Sequence, residues 1–167
     1  QMWIPVHAWR ALAQLRTVEM IPPFTDLLCE FQDDDWLRED CVAVVEMLGS
    51  RALPYWFEFL NQCESRDDIV AAVPIIEGLS KVGQTYPEAR RPLVEDLTRR
   101  IEHYTDNDRD YNGFVINALG QLRAKNALPT IAAAYTNDAV DTFCGNWDGV
   151  VEAFQLPASA RPADYLQ

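Results

Sequence analysis

The sequence predicts an all-α protein, a solenoid of about four helical hairpins closed by a capping helix, and three observations carry that prediction. The first is an internal repeat: ALAQLRTVEMIP at 11–22 returns as ALGQLRAKNALP at 118–129, without a gap, at an offset of 107. The second is a pair of related segments between them, EMLGSRALP at 46–54 and GLSKVGQTYPEARRPL at 78–93. Leu15, Leu48, Val82 and Leu122, each the last apolar residue before a turn, are then 33, 34 and 40 positions apart, in the range of helical-hairpin repeats. The third is the position of the prolines. Pro22, Pro54, Pro92 and Pro129 fall where the second helix of each hairpin should begin, a place that tolerates proline because the missing N–H has no intrahelical partner there.

The elements follow in order. In the first helix Ala8, Ala11, Leu12 and Leu15 recur at i, i+3, i+4 and i+7, which places them in one apolar stripe away from His7, Arg10 and Gln14. Gly49 and Gly83 are expected to close two of the first helices. Acidic junctions separate the repeats: QDDD at 32–35, SRDD at 65–68, TDNDRD at 105–110 and TNDAVD at 136–141. Aspartate and asparagine there should accept the unpaired N–H groups of the following helix and complement its dipole. The hairpins are read as about 4–33, 35–64, 67–104 and 108–137. A cap at 139–155 rests on Val140, Phe143, Trp147, Val151 and Phe154 at helical spacing, and residues 156–167 are read as an extended tail. One hairpin cannot bury its apolar face alone, so the copies must stack on a continuous core. Residues 1–155 are accordingly one domain.

Composition narrows the function. Fourteen Lys and Arg against 26 Asp and Glu give a net charge of −12, which argues against nucleic acid and anionic membrane surfaces as partners, since both are bound through clustered cations. The longest apolar run, 69–76, contains Pro74 and is far short of the ~20 residues that span a bilayer. The N-terminus shows no charged segment followed by an apolar one, and a cytoplasmic location is expected. A chain opening on Gln1 rather than Met reads as part of a longer one. Cys29, Cys41, Cys63 and Cys144 lack CxxC spacing and sit in apolar contexts, where a reduced thiol serves as a small hydrophobe.

The ALxQLR and MIP/ALP signatures, the DDDW that opens the second unit and the PEAR insertion in the third together resemble HEAT-like (armadillo-type) repeats. The chain is similar to bacterial HEAT-repeat proteins in which a segment like NDRDYNGFVINAL precedes a last hairpin and a DxxxxGxWxxV stretch, here 141–150. The resemblance covers most of residues 5–154 and implies a right-handed superhelix. Some members of that group continue into a cysteine-rich SEC-C metal-binding motif. The sequence lacks that motif, so no zinc ligand is carried over. Because such folds host unrelated functions, the resemblance implies architecture more than activity.

No catalytic constellation is expected. His7 and His103 are the only histidines, and no GxSxG, GxGxxG, Walker or HExxH pattern occurs. His103 reads as a polar residue near a helix C-terminus. Asp106, Asp108 and Asp110 with Asn112 offer oxygen ligands at alternate positions, as a calcium loop does, but Tyr111 stands where glycine is required and Asn117 where a bidentate Glu is required. Capping is the better reading of this run and of Asp33, Asp34 and Asp35. No cofactor and no metal site is expected. A binding surface is the better prospect, because the second helices of such hairpins line an extended concave face. Aligned on their prolines, these helices place Phe24, Trp56 and Ile131 at one core position and Leu28, Leu60 and Tyr135 at another. Pro23, Tyr55 and Thr130 then point outward in one row, and Asp26, Glu58 and Ala133 in the next. Asp26, Tyr55 and Glu58 are the candidate binding residues, for a basic or amphipathic protein or peptide, aromatic side chains being favoured anchors. Trp3, Trp9 and Trp36 are read as packing residues. The alternative is a protein like the HEAT-repeat phycobilin lyases, handling a tetrapyrrole. That reading needs cations in the concavity, whereas Arg90, Arg91, Arg99 and Arg100 are expected at outer or terminal positions.

Overall fold

A computed structural model describes the backbone of residues 3–32, 34–66 and 68–166 and the side chains of 8–32, 34–65 and 68–166. Among them the chain is all-α, with no strand. The α-helices are α1 (Trp3–Gln14), α2 (Ile21–Glu30), α3 (Asp35–Leu48), α4 (Leu53–Arg66), α5 (Ile69–Thr85), α6 (Pro87–Glu102), α7 (Arg109–Gln121), α8 (Leu128–Thr136) and α9 (Trp147–Phe154). None is long and apolar enough to cross a membrane. Two compact units divide the chain, Gln1–Ala89 and Arg90–Gln167.

The repeated sequence produces repeated local structure. After α1, Arg16 takes a left-handed backbone (φ 55°) and the Thr17 N–H reaches back to the Leu12 carbonyl at 3.0 Å. After α7, 107 positions on, Arg123 does the same (φ 50°), and Ala124 N–H bonds Leu119 O at 3.0 Å. Both are Schellman-type helix ends, in which a left-handed residue lets the chain satisfy the last carbonyls. Gly49 (φ 68°) fills the corresponding place after α3. A three-residue 3-10 turn follows each (Val18–Met20, Ser50–Ala52, Lys125–Ala127), and then a helix with Pro22, Pro54 or Pro129 as its second residue.

The third pair departs from this pattern. Gly83 does not close α5 but lies buried inside it, and Pro92 sits inside α6 rather than at its start. Pro87 opens α6, and only Tyr86 separates the two helices. α5 is buried nearly all round, from Ala71 to Gly83, as expected of a helix without a polar face.

In the first unit α1, α3 and α5 form one layer, with α3 in the middle. α3 and α5 run parallel. Gln32, just before α3, donates to both oxygens of Asp68 at the start of α5 (3.1 Å each), while at the far ends Thr85 donates to Glu46 at 3.3 Å. Gly78 makes the close approach possible: a Cβ there would lie 2.6 Å from Val45 Cβ. α3 joins α1 through Asp40, whose buried carboxylate accepts from Trp9 Nε1 and from the Arg10 guanidinium. The Arg10 pKa is raised by that bond and by the Asp40 charge. The apolar stripe expected on α1 is not its buried face. Ala13 is buried and Trp9 half-buried, whereas Ala8, Ala11, Leu12 and Leu15 are exposed. The reason is the Asp40 contact, which turns Trp9 and Arg10 toward α3.

In the second unit α9 packs on α7, where Gly120 admits Ala153, since a Cβ there would come within 3.0 Å of the Ala153 Cβ. The cap begins later than the apolar spacing suggested. Residues 139–146 are non-helical, and α9 starts only after Asn146, whose side chain accepts the Gly149 N–H at 3.0 Å. The segment after α9 is folded rather than extended. Pro162–Tyr165 forms a 3-10 turn on α8, Trp147 donates to Ala160 O at 3.1 Å, and the Trp147 ring meets both Tyr135 and Tyr165. Burial raises the Tyr135 hydroxyl to about 12.

Candidate functional site

The second helices present the expected faces. Phe24, Trp56 and Ile131 are buried, as are Leu28 and Leu60, with Tyr135 half-buried. Position by position this is the i, i+4 core stripe of an amphipathic helix. The outward rows follow: Pro23, Asp26, Tyr55 and Glu58 are exposed, and Thr130 and Ala133 half-buried. Tyr55 and Glu58 lie three residues apart on α4 and share one face, whereas Asp26 stands on α2. Tyr55 is 46% exposed although its neighbours Trp56, Phe59 and Leu60 are buried. Glu58 accepts a long hydrogen bond from Gln62 (3.4 Å), one turn further along α4.

The tryptophans divide. Trp9 packs edge-on against Phe24 (ring centroids 5.6 Å apart) and bonds Asp40, as a packing residue should. Trp36 corrects the expectation, because it is 74% exposed. It sits on the first turn of α3, beside the stripe Leu37, Cys41, Val44, Val45 and Leu48 rather than in it. The side chains of Trp3, His7 and Asp33 lie outside the described residues. Phe143, read from sequence as part of the cap helix, projects from the 139–146 loop at 96% exposure.

The acidic junctions act as caps. Asp34 accepts from Leu37 N (3.1 Å), Asp68 from Ala71 N (3.4 Å), and Asp108 from Asp110 N (2.7 Å) and Tyr111 N (3.3 Å). The fourth junction precedes the loop instead of a helix, and there Asp141 accepts from Phe143 N at 2.8 Å. The oxygens of the calcium-like run do not converge. Asp108 is engaged as a cap, and Asp110 accepts from the Cys144 thiol at 3.5 Å. Asn112 is fully buried and held on both ends of its amide: its nitrogen donates to Tyr104 O (2.9 Å) and Ala139 O (2.8 Å), and its oxygen accepts from Asn107 (2.9 Å). Asn112 thereby fastens the loop after α6 and the loop after α8 to α7, a structural duty the alternation of oxygen residues did not reveal.

Among the described residues no group of three or more His, Cys, Asp and Glu is placed to hold a metal ion. The four cysteines are thiols outside any disulfide, with Cys41 and Cys63 buried and Cys29 and Cys144 half-buried. Burial, with the charges of Asp40 and Glu77, pushes the Cys41 thiol up, and burial with the Asp110 contact pushes Cys144 up to about 11. Neither is a poised nucleophile, which needs a lowered pKa. His103 is exposed in the turn that ends α6. The arginines of α6 are engaged locally: Arg100, fully buried, pairs with Asp96 (2.6 Å), Arg99 with Asp96 (2.8 Å), Arg91 with Glu95 (2.8 Å), and Arg90 donates to Leu122 O.

Comparison of the chain with protein-family models, with curated proteins and with solved structures gives no match.

Proposed function

We propose that this chain is a non-catalytic interaction module, a short right-handed HEAT-like solenoid that works as a cytoplasmic scaffold. It holds a basic or amphipathic protein segment against the outward face of its second helices, through Asp26, Tyr55 and Glu58. The observation that carries the reading is Tyr55, an aromatic ring held half in water on a helix whose core positions are otherwise filled, with a carboxylate one turn away. Aromatic rings so placed are favoured interface anchors, and the acidic rim selects a cationic partner. The repeated helix ends and proline starts support the solenoid, since three of the pairs, all but α5 and α6, share the turn and the core register that stacked hairpins require. The test is affinity capture from source-cell lysate with the wild-type chain and with Tyr55→Ala/Glu58→Lys, at low and moderate salt. The reading expects one stoichiometric protein that is lost in the double variant and weakened by salt, with helical content and melting temperature unchanged. Equal capture by the double variant refutes it.

A further inference from the structure

The first unit carries a second exposed apolar surface, distinct from the Tyr55 row. Trp36 stands two residues after the capping Asp34, and Val70 two residues after the capping Asp68. Because α3 and α5 are parallel and matched in register, with Val45 opposite Gly78 and Gln32 tied to Asp68, these two side chains occupy equivalent places on neighbouring first turns. Phe31, at the end of α2, is linked to the same junction through the Asp34 N–H, which bonds the Phe31 carbonyl at 3.0 Å. All three are exposed, Trp36 most of all, so the ends of two packed helices hold an aromatic and aliphatic step in water. Large apolar side chains held in water near one another mark an interaction surface.

The surroundings choose the occupant. In the sequence the two junctions, 30–39 and 64–70, bring eight carboxylates and two arginines. Among the described side chains Glu30, Asp35, Glu39 and Glu64 are exposed, and only Arg38 is cationic, half-buried. A second copy of this chain would set one such acidic end against another of its acidic faces, given a net charge of −12. A cationic segment with an apolar face meets both the step and its rim.

We propose that Phe31, Trp36 and Val70 form a docking surface for a basic amphipathic peptide, its apolar side chains on the step and its arginines or lysines over the flanking carboxylates. Complementary charge sets the association rate and the partner, and the Trp36 indole supplies the anchor.

The experiment titrates the isotope-labelled full chain with a synthetic helical peptide carrying leucines on one face and arginines on the other, followed by the Trp36 indole and backbone amide resonances. The same peptide with glutamates for arginines is the control. Saturable shifts centred on Trp36, Phe31 and Val70 are expected for the arginine peptide alone. Trp36→Ala should weaken binding read at the Phe31 and Val70 amides about tenfold or more, while Glu95→Lys, a change of charge at an exposed residue of α6, should leave it within about twofold, and reading at those two amides separates this surface from the Tyr55 row. Trp36 is exposed, so its replacement leaves the amide spectrum otherwise folded. Shifts spread over the acidic surface, or a Trp36→Ala affinity within about twofold of wild type, would overturn the proposal. So would a Trp36 resonance that moves with protein concentration alone as the mass doubles, which would assign the step to a second copy.

Discussion

Replacing Gly78 with alanine tests the packing of the first unit at its tightest point. The new Cβ would lie 2.6 Å from Val45 Cβ, 2.8 Å from Val45 Cγ1 and 3.2 Å from the Val42 carbonyl oxygen. Carbon atoms rest at ~3.5–4.0 Å, so α3 and α5 must part by roughly 1 Å there. Val45 cannot swing away, because its Cβ is fixed to the backbone and the residue is fully buried. Overpacking of this kind costs ~1–3 kcal/mol, and contact with a buried β-branched residue puts Gly78→Ala at the upper end. Alanine returns ~1 kcal/mol of helix propensity, leaving a net loss of about 2 kcal/mol. For a chain of this size that lowers the melting temperature by about 4–8 °C. The assay is thermal unfolding followed by circular dichroism, beside Gly149→Ala as control. Gly149 is exposed on α9, and a Cβ there meets nothing nearer than Asn146 Oδ1 at 3.7 Å. Gly149→Ala should leave the melting temperature unchanged or slightly raised. A Gly78→Ala variant more stable than wild type would show that propensity alone acts at this site, and would refute the close approach of α3 and α5.

Asn112→Ala should cost about 3 kcal/mol in urea unfolding, because it removes the fully buried partner of the Tyr104 and Ala139 carbonyls and one of the two acceptors of the Asn107 amide, which keeps Arg100 O. Arg123→Gly should stabilise the chain by about 0.5–1 kcal/mol in the same assay, relieving a left-handed backbone at an exposed residue. Cys144 should react with iodoacetamide at pH 8 about a hundredfold more slowly than a free thiol, since its pKa moves from 9.0 to about 11 and only the thiolate reacts; Asp110→Asn should speed it. The raised acids Cys144 and Tyr135 also fix an alkaline limit. Their protonated forms are favoured in the folded state, so stability is intact below their unfolded pKa values of 9.0 and 10.0. It is lost as pH rises through about 11 and 12, which a pH series of melting temperatures reads directly.

Much of the local architecture is legible in the sequence because backbone constraints are short-range. Asp34, Asp68 and Asp108 cap the helices that follow them, and Pro22, Pro54 and Pro129 open second helices, for reasons contained within a single turn of chain. The core register of Phe24, Trp56 and Ile131 is equally readable, because periodicity and proline position fix it together. The failures lie where tertiary contacts decide. Pro92 marks no helix start, since Pro87 already supplies one and α6 carries Pro92 in its interior. The α1 stripe is turned outward by a buried carboxylate 30 positions away, a partnership that no periodicity encodes. Trp36 reads as a packing residue from its place at the opening of a first helix, although its position off the Leu37, Cys41 and Val44 stripe separates it from the core. The loop at 139–146 defeats the helical reading of its apolar residues through Asn112, Asp141 and Asn146, whose bonds hold it open and leave Phe143 in water.

The proposed binding face is tested most directly by carboxylate footprinting of the chain alone and together with any protein it captures, read residue by residue by mass spectrometry. Asp26 and Glu58 are exposed in the free chain and should label readily, as should Glu95 on α6. The account predicts that partner capture protects Asp26 and Glu58 while Glu95 stays labelled. Equal labelling of Asp26 and Glu58 in the free and bound chain would contradict it.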